Sequence, residues 1–210
     1  MVVEILRSTP QDPPIKFVVA DLETGVAKSQ IEVPASRRQF VPYHFPTVTP
    51  DGRQVYTSKG GNMANATRVV RIDLETGEEK EICAARPLTW ALSPDGSQLA
   101  CAGLGDGIQV LPTQGGPGRD LVKGEQIGPL TWTADGKQLI YTTPAAGSAP
   151  GGPGVYWIIP AAGGTPRKMD VALGRLGTMS VHPDNRHIAI SSYGGDTELW
   201  VLENLLHASK

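Results

Sequence analysis

The chain has 210 residues and a formal net charge of −2, from 19 Lys and Arg against 21 Asp and Glu. That balance excludes a broad electrostatic attraction to nucleic acid or anionic lipid. Gly (25) and Pro (18) are abundant and aromatics scarce at 6%, yet 40% of the residues are hydrophobic. This composition suits many short strands joined by turns rather than a disordered polymer.

The first segment, Met1 to Arg7, has neither a basic n-region nor a long apolar run, so it does not read as a signal peptide. No stretch approaches membrane-spanning length. The chain reads as soluble, with the compartment left open between cytoplasm and periplasm. Two outer strands are expected over 15–34, where Phe17-Val18-Val19-Ala20-Asp21-Leu22-Glu23-Thr24-Gly25 repeats Val69-Val70-Arg71-Ile72-Asp73-Leu74-Glu75-Thr76-Gly77.

A turn then recurs four times along the chain. It reads Thr49-Pro50-Asp51-Gly52, Ser93-Pro94-Asp95-Gly96, Thr133-Ala134-Asp135-Gly136 and His182-Pro183-Asp184-Asn185. The Asp-to-Asp spacings of 44, 40 and 49 residues match the period of propeller blades. Asp-Gly and Asp-Asn tolerate the positive φ of hairpin turns, so each copy is expected to join two antiparallel strands. Val48, Leu92, Trp132 and Val181 stand three residues before each Asp, and Val55, Leu99, Leu139 and Ile188 four residues after. All eight are expected on buried strand faces between blades. Third strands follow at Thr67–Asp73, Gly107–Leu111, Gly154–Ile159 and Glu198–Leu202, with Gly-rich turns after the first three. The last unit lacks a clear fourth strand. No segment has a sustained helical period.

The sequence thus predicts an all-β propeller of four-stranded antiparallel blades. It has four inner-strand pairs, in blades at about 40–83, 84–123, 124–170 and 171–206, plus the N-terminal outer pair, in a single domain over 1–210. These motifs resemble the TolB-like branch of the WD40-like propeller repeats, over about residues 16 to 206. The likeness is most literal in Leu92-Ser93-Pro94-Asp95-Gly96-Ser97-Gln98-Leu99-Ala100, while the Trp-Asp and Gly-His pairs of standard WD repeats are absent. The ending Glu198 to Leu206 is similar to that of bacterial multidomain proteins that finish in such a propeller. The resemblance implies a fold and leaves function open. The orphan N-terminal pair favours part of a larger ring over a self-closed ring of four or five blades. A partial ring would expose strand edges and invite oligomerisation.

Catalytic signatures are missing. The sequence contains no Gly-x-Ser-x-Gly, His-Glu-x-x-His, Cys-x-x-Cys or Walker loop. Cys83 and Cys101 read as buried thiols. His182 and His187 read as a pair flanking a turn rather than a zinc site, and the turn aspartates as structural Asx caps. The acidic residues Asp73, Glu75, Glu78, Glu79 and Glu81 read as solvated outer-strand faces. The loops Gly60-Gly61-Asn62 and Gly151-Gly152-Pro153-Gly154 open no helix and so are not phosphate cradles. Function is expected on the loops that enter the first strand of each blade. There Arg37, Arg38, Arg86, Lys123 and Arg175 are candidates for a positive ring suited to carboxylate or phosphate groups. Tyr43, Phe45 and Met63 are candidates for a partner-binding patch.

The expected function is a non-catalytic binding or scaffold module for protein or peptide partners, within a larger bacterial protein. It needs no cofactor or metal, and it neither binds nucleic acid nor inserts into a membrane. The alternatives are the gating propeller of a prolyl-oligopeptidase-like hydrolase and a propeller enzyme of the lactonase or lyase kind.

Overall fold

A computed structural model describes residues 2–5, 15–20, 23–24, 26–33, 46–59, 68–83, 87–103, 105–148, 152–171, 175–193 and 197–203. Among these every regular element is a strand, and no helix long and apolar enough to cross a membrane occurs. The chain divides into two compact units, Met1–Pro87 and Leu88–Lys210.

The first unit holds two antiparallel sheets. One is three-stranded: β1 (Val2–Ile5), β2 (Ile15–Ala20) and β3 (Ala27–Val33), in that order. β2 and β3 are the pair read from the sequence. β1 is an addition, with Val2 opposite Ala20 and Ile5 opposite Phe17. The other is four-stranded: β4 (Thr47–Val48), β5 (Gln54–Lys59), β6 (Arg68–Asp73) and β7 (Glu79–Cys83).

The second unit holds three sheets of the same meander design. β8 (Pro87–Leu92), β9 (Gln98–Gly103), β10 (Gly107–Pro112) and β11 (Arg119–Val122) form one. β12 (Leu130–Trp132), β13 (Gln138–Pro144), β14 (Gly154–Pro160) and β15 (Arg167–Lys168) form the next. β16 (Arg175–Val181), β17 (His187–Tyr193) and β18 (Thr197–Glu203) form a three-stranded last sheet.

Side chains alternate across a strand, so a sheet between two others must be apolar on both faces. The β12–β15 sheet is. Leu139, Tyr141 and Ile159 pack with Ala100, Ala102, Ile108 and Val110 of the preceding sheet. Their sequence neighbours Ile140 and Ile158, with Tyr156, pack with Ile188 and Ile190 of the following one. Each of these side chains is almost wholly buried, which stabilises the packed sheets by about 1.5–3 kcal/mol per large residue. Polar bridges accompany the packing: Trp132 Nε1 donates to the Ala91 carbonyl at 2.9 Å, and the Arg119 guanidinium donates to the Ala161 carbonyl.

Val55, Leu99, Leu139 and Ile188 are fully buried, as their spacing requires. The positions before the turn differ from expectation. Trp132 is buried, but Val48, Leu92 and Val181 are only half-buried. For Leu92 and Val181 the reason is that each borders an open cleft.

Candidate functional site

All four turns share one backbone plan. In the first, the Thr49 N–H donates to the Gln54 carbonyl at 2.9 Å and the Gly52 N–H to the Thr49 carbonyl at 2.8 Å. A single residue per turn takes the left-handed conformation: Gly52, Gly96 and Gly136 at φ 71°, 73° and 68°, and Asn185 at φ 57°. The aspartate stays in ordinary backbone and works through its side chain. Asp95 Oδ1 accepts the Ser93 hydroxyl at 2.6 Å and the Ser97 N–H at 3.0 Å, and Ser93 Oγ in turn accepts the Gln98 N–H at 2.9 Å. Asp51 repeats this with Thr49, Arg53 and Gln54, and Asp135 with Thr133, Lys137 and Gln138. These are the Asx caps expected from the repeat.

The hydrogen bonds favour the ionised carboxylates. The Thr49 hydroxyl, with the Arg53 N–H, lowers the Asp51 pKa. The Ser93 hydroxyl leads the same effect at Asp95. At Asp135 desolvation pushes the other way, and hydrogen bonds from Thr133, Lys137 and Asn185 outweigh it.

In the second unit the turns of neighbouring sheets meet. Asn185 Oδ1 accepts the Ala134 N–H at 2.6 Å. Between them lies a cleft of about 350 Å3, lined by Leu92, Pro94, Thr131, Trp132, Ala134, Ser180, Val181 and Pro183. None of these side chains ionises. An adjoining hollow shares Pro94 and Ala134 and is edged by Asp95 and Asp135.

The fourth turn departs from the others at the cleft's edge. His182 replaces the hydroxyl residue and His187 the glutamine. Asp184 Oδ1 accepts the Arg186 N–H at 2.8 Å and the His187 N–H at 3.2 Å. Its Oδ2 faces both imidazoles, 2.6 Å from His187 Nδ1 and 3.1 Å from His182 Nδ1. The Arg186 N–H, followed by the two histidines, holds the Asp184 carboxyl far below its ordinary pKa. Spacing along the chain does not bring the two histidines together with Asp184; the folded turn does. The signal present in the sequence was that both replace the residues used by the other three turns.

The loop residues singled out from the sequence lie elsewhere. Lys123 follows β11 at the strand ends away from the Asp turns, and its ammonium is 3.2 Å from Asp120 Oδ2. Arg175 begins β16, whose other end leads into the fourth turn, about 20 Å away at strand rise. Arg37, Arg38, Arg86, Tyr43, Phe45 and Met63 lie outside the described residues.

No protein-family model matches the chain, and no curated protein matches it significantly. Solved structures do. TolB from Acinetobacter baumannii superposes with a TM-score of 0.70 at 17% identity, over 96% of this chain and 48% of that one. The fold is a TolB-like β-propeller. A putative TolB from Agrobacterium tumefaciens matches this chain with a TM-score of 0.65 at 14% identity, over 96% of it and 77% of the other. The β-propeller domain of the Trilobed protease from Pyrococcus furiosus matches with a TM-score of 0.59 at 15% identity, over 95% and 64%. The chain therefore spans about half the length of the Acinetobacter TolB. Similar propellers also occur in enzymes, an oligogalacturonate lyase and prolyl endopeptidases among them. Identities this low carry the fold and no activity.

Proposed function

We propose that this TolB-like propeller is a binding module, and that it holds an apolar segment of a protein or peptide partner in the cleft between its Asp turns. One observation carries the reading: a concavity of about 350 Å3 whose eight lining residues are all non-ionisable. That volume lies in the range of ligand-sized sites. Pro94, Ala134 and Pro183 belong to turns fixed by their own hydrogen bonds, so the walls are pre-organised and little ordering entropy is lost on binding. The turn carboxylates are engaged with backbone N–H groups and hydroxyls and have lowered pKa values, which suits them to hold shape rather than to exchange protons near neutral pH.

Selection of a displayed random-peptide library on the full chain, followed by fluorescence anisotropy, tests the reading. Ser180 is exposed on β16 and lines the cleft, so Ser180→Arg fills the cleft without disturbing the core. The expected result is selection of apolar segments whose affinity falls about tenfold or more in the variant. A library that yields no binder, or binders indifferent to Ser180→Arg, overturns it.

A further inference from the structure

We propose that His182, Asp184 and His187 form a binding site for a borderline divalent transition cation of the Zn2+ class. One ring nitrogen of each histidine and a carboxylate oxygen of Asp184 lie within 4.8 Å of one another, on a single six-residue turn. Two imidazoles and one carboxylate suit Zn2+, Co2+ or Ni2+, and exclude the hard-oxygen cages that Ca2+ and Mg2+ require.

The geometry is close to that of a loaded site. Ligand atoms at about 2.1 Å from one ion stand roughly 3.0 Å apart at right angles and roughly 3.4 Å apart in a tetrahedron. Asp184 Oδ2 is 3.1 Å from His182 Nδ1 and 2.6 Å from His187 Nδ1. Loading requires the His187 ring to open from Oδ2 and the two rings, which meet edge-on with centroids 5.8 Å apart, to reorient. They have room to do so, because the His182 side chain is 62% exposed and that of His187 39%. Meanwhile Asp184 Oδ1 is held by the Arg186 and His187 backbone N–H groups. One oxygen is thus anchored and the other presented, which is how an outer-shell hydrogen bond orients a metal-binding carboxylate.

Closing the turn accounts for these histidines only in part: His182 Nδ1 accepts the Asp184 N–H in a long 3.3 Å bond, which a bound ion would replace. The same hairpin closes three times with a Ser or Thr hydroxyl on the aspartate and a glutamine five residues after that hydroxyl: Thr49 and Gln54, Ser93 and Gln98, Thr133 and Gln138. Only the fourth copy changes both positions, and both changes place an imidazole against the same oxygen. An exposed His–Asp pair adds little to the stability of a turn, so closure gives little reason for changing both positions.

The test is calorimetric titration of the chelator-stripped full chain with Zn2+, repeated with Co2+ while its visible absorption is followed. The double variant His182→Thr, His187→Gln installs the residues of the other turns and so preserves hairpin closure. His187→Gln alone serves if the double variant does not fold, and His44→Ala with His207→Ala controls for the other histidines. The expected result is saturable uptake of one Zn2+ per chain, unchanged in the control. Affinity in the double variant should fall by more than the roughly 10–100-fold that loss of an outer-shell partner costs. No saturable uptake by the wild-type chain, or equal uptake by the folded variant, overturns the site.

Discussion

Asn185 Oδ1 accepts the Ala134 backbone N–H at 2.6 Å, tying the fourth Asp turn to the third across 51 residues of sequence. The other three turns place glycine at this position, where φ is positive, so Asn185 accepts a left-handed conformation in exchange for a bond that glycine cannot make. It also favours the charged form of Asp135 in the neighbouring turn.

Two substitutions separate these effects. Asn185→Ala loses the inter-turn bond and keeps the unfavourable φ, for an expected loss of about 2 kcal/mol. Asn185→Gly loses the bond and relieves the φ, so its net change is expected within about 1 kcal/mol. Urea denaturation of both variants checks this. Equal losses would mean that φ carries no cost at Asn185.

Acid should loosen the turns. Asp51, Asp95, Asp135 and Asp184 all have folded-state pKa values below the ordinary 3.8. Their contribution is complete above that value and is lost as pH falls through the folded-state pKa values. The urea midpoint is therefore expected to fall steadily below about pH 4. The variant Asp51→Asn, Asp95→Asn, Asp135→Asn, measured in parallel, should show a shallower acid decline. An identical decline would place the acid sensitivity outside these turns.

Gly107 opens β10 at φ 78°, and a Cβ there would stand 2.0 Å from the Val122 carbonyl oxygen. Val122 resists a shift of β11, because it is buried and paired with Ile108. Gly107→Ala is expected to cost about 3 kcal/mol or more, by combining left-handed strain with a backbone clash. Thermal and urea melts check the value. A loss below about 1 kcal/mol would show that this edge of the sheet yields freely.

The fold was legible because its signals repeat. Val55, Leu99, Leu139 and Ile188 are buried in every copy, and each turn aspartate accepts the backbone N–H two residues after it. The site was less legible, for two physical reasons. Hydropathy marks Leu92 and Val181 as core without revealing that the facing turns stop short of them and leave a cleft. Spacing alone shows His182 and His187 as five residues apart, whereas the turn folds both rings back onto Asp184. Val2 and Ile5 on β1 carry no legible signal, because four residues are too few to show a period and only pairing with β2 reveals the strand.

The central claim, that the Asp-turn face of the second unit receives a partner, is tested most directly by hydrogen exchange of the full chain with and without a selected peptide. The account predicts new protection at the amides of Ala134, Gly136 and Asn185, with none at Gly105, Asp106 and Lys123 near the opposite strand ends. Protection confined to Gly105, Asp106 and Lys123, with the turn amides unchanged, would contradict it and move the binding surface to the other ends of the strands.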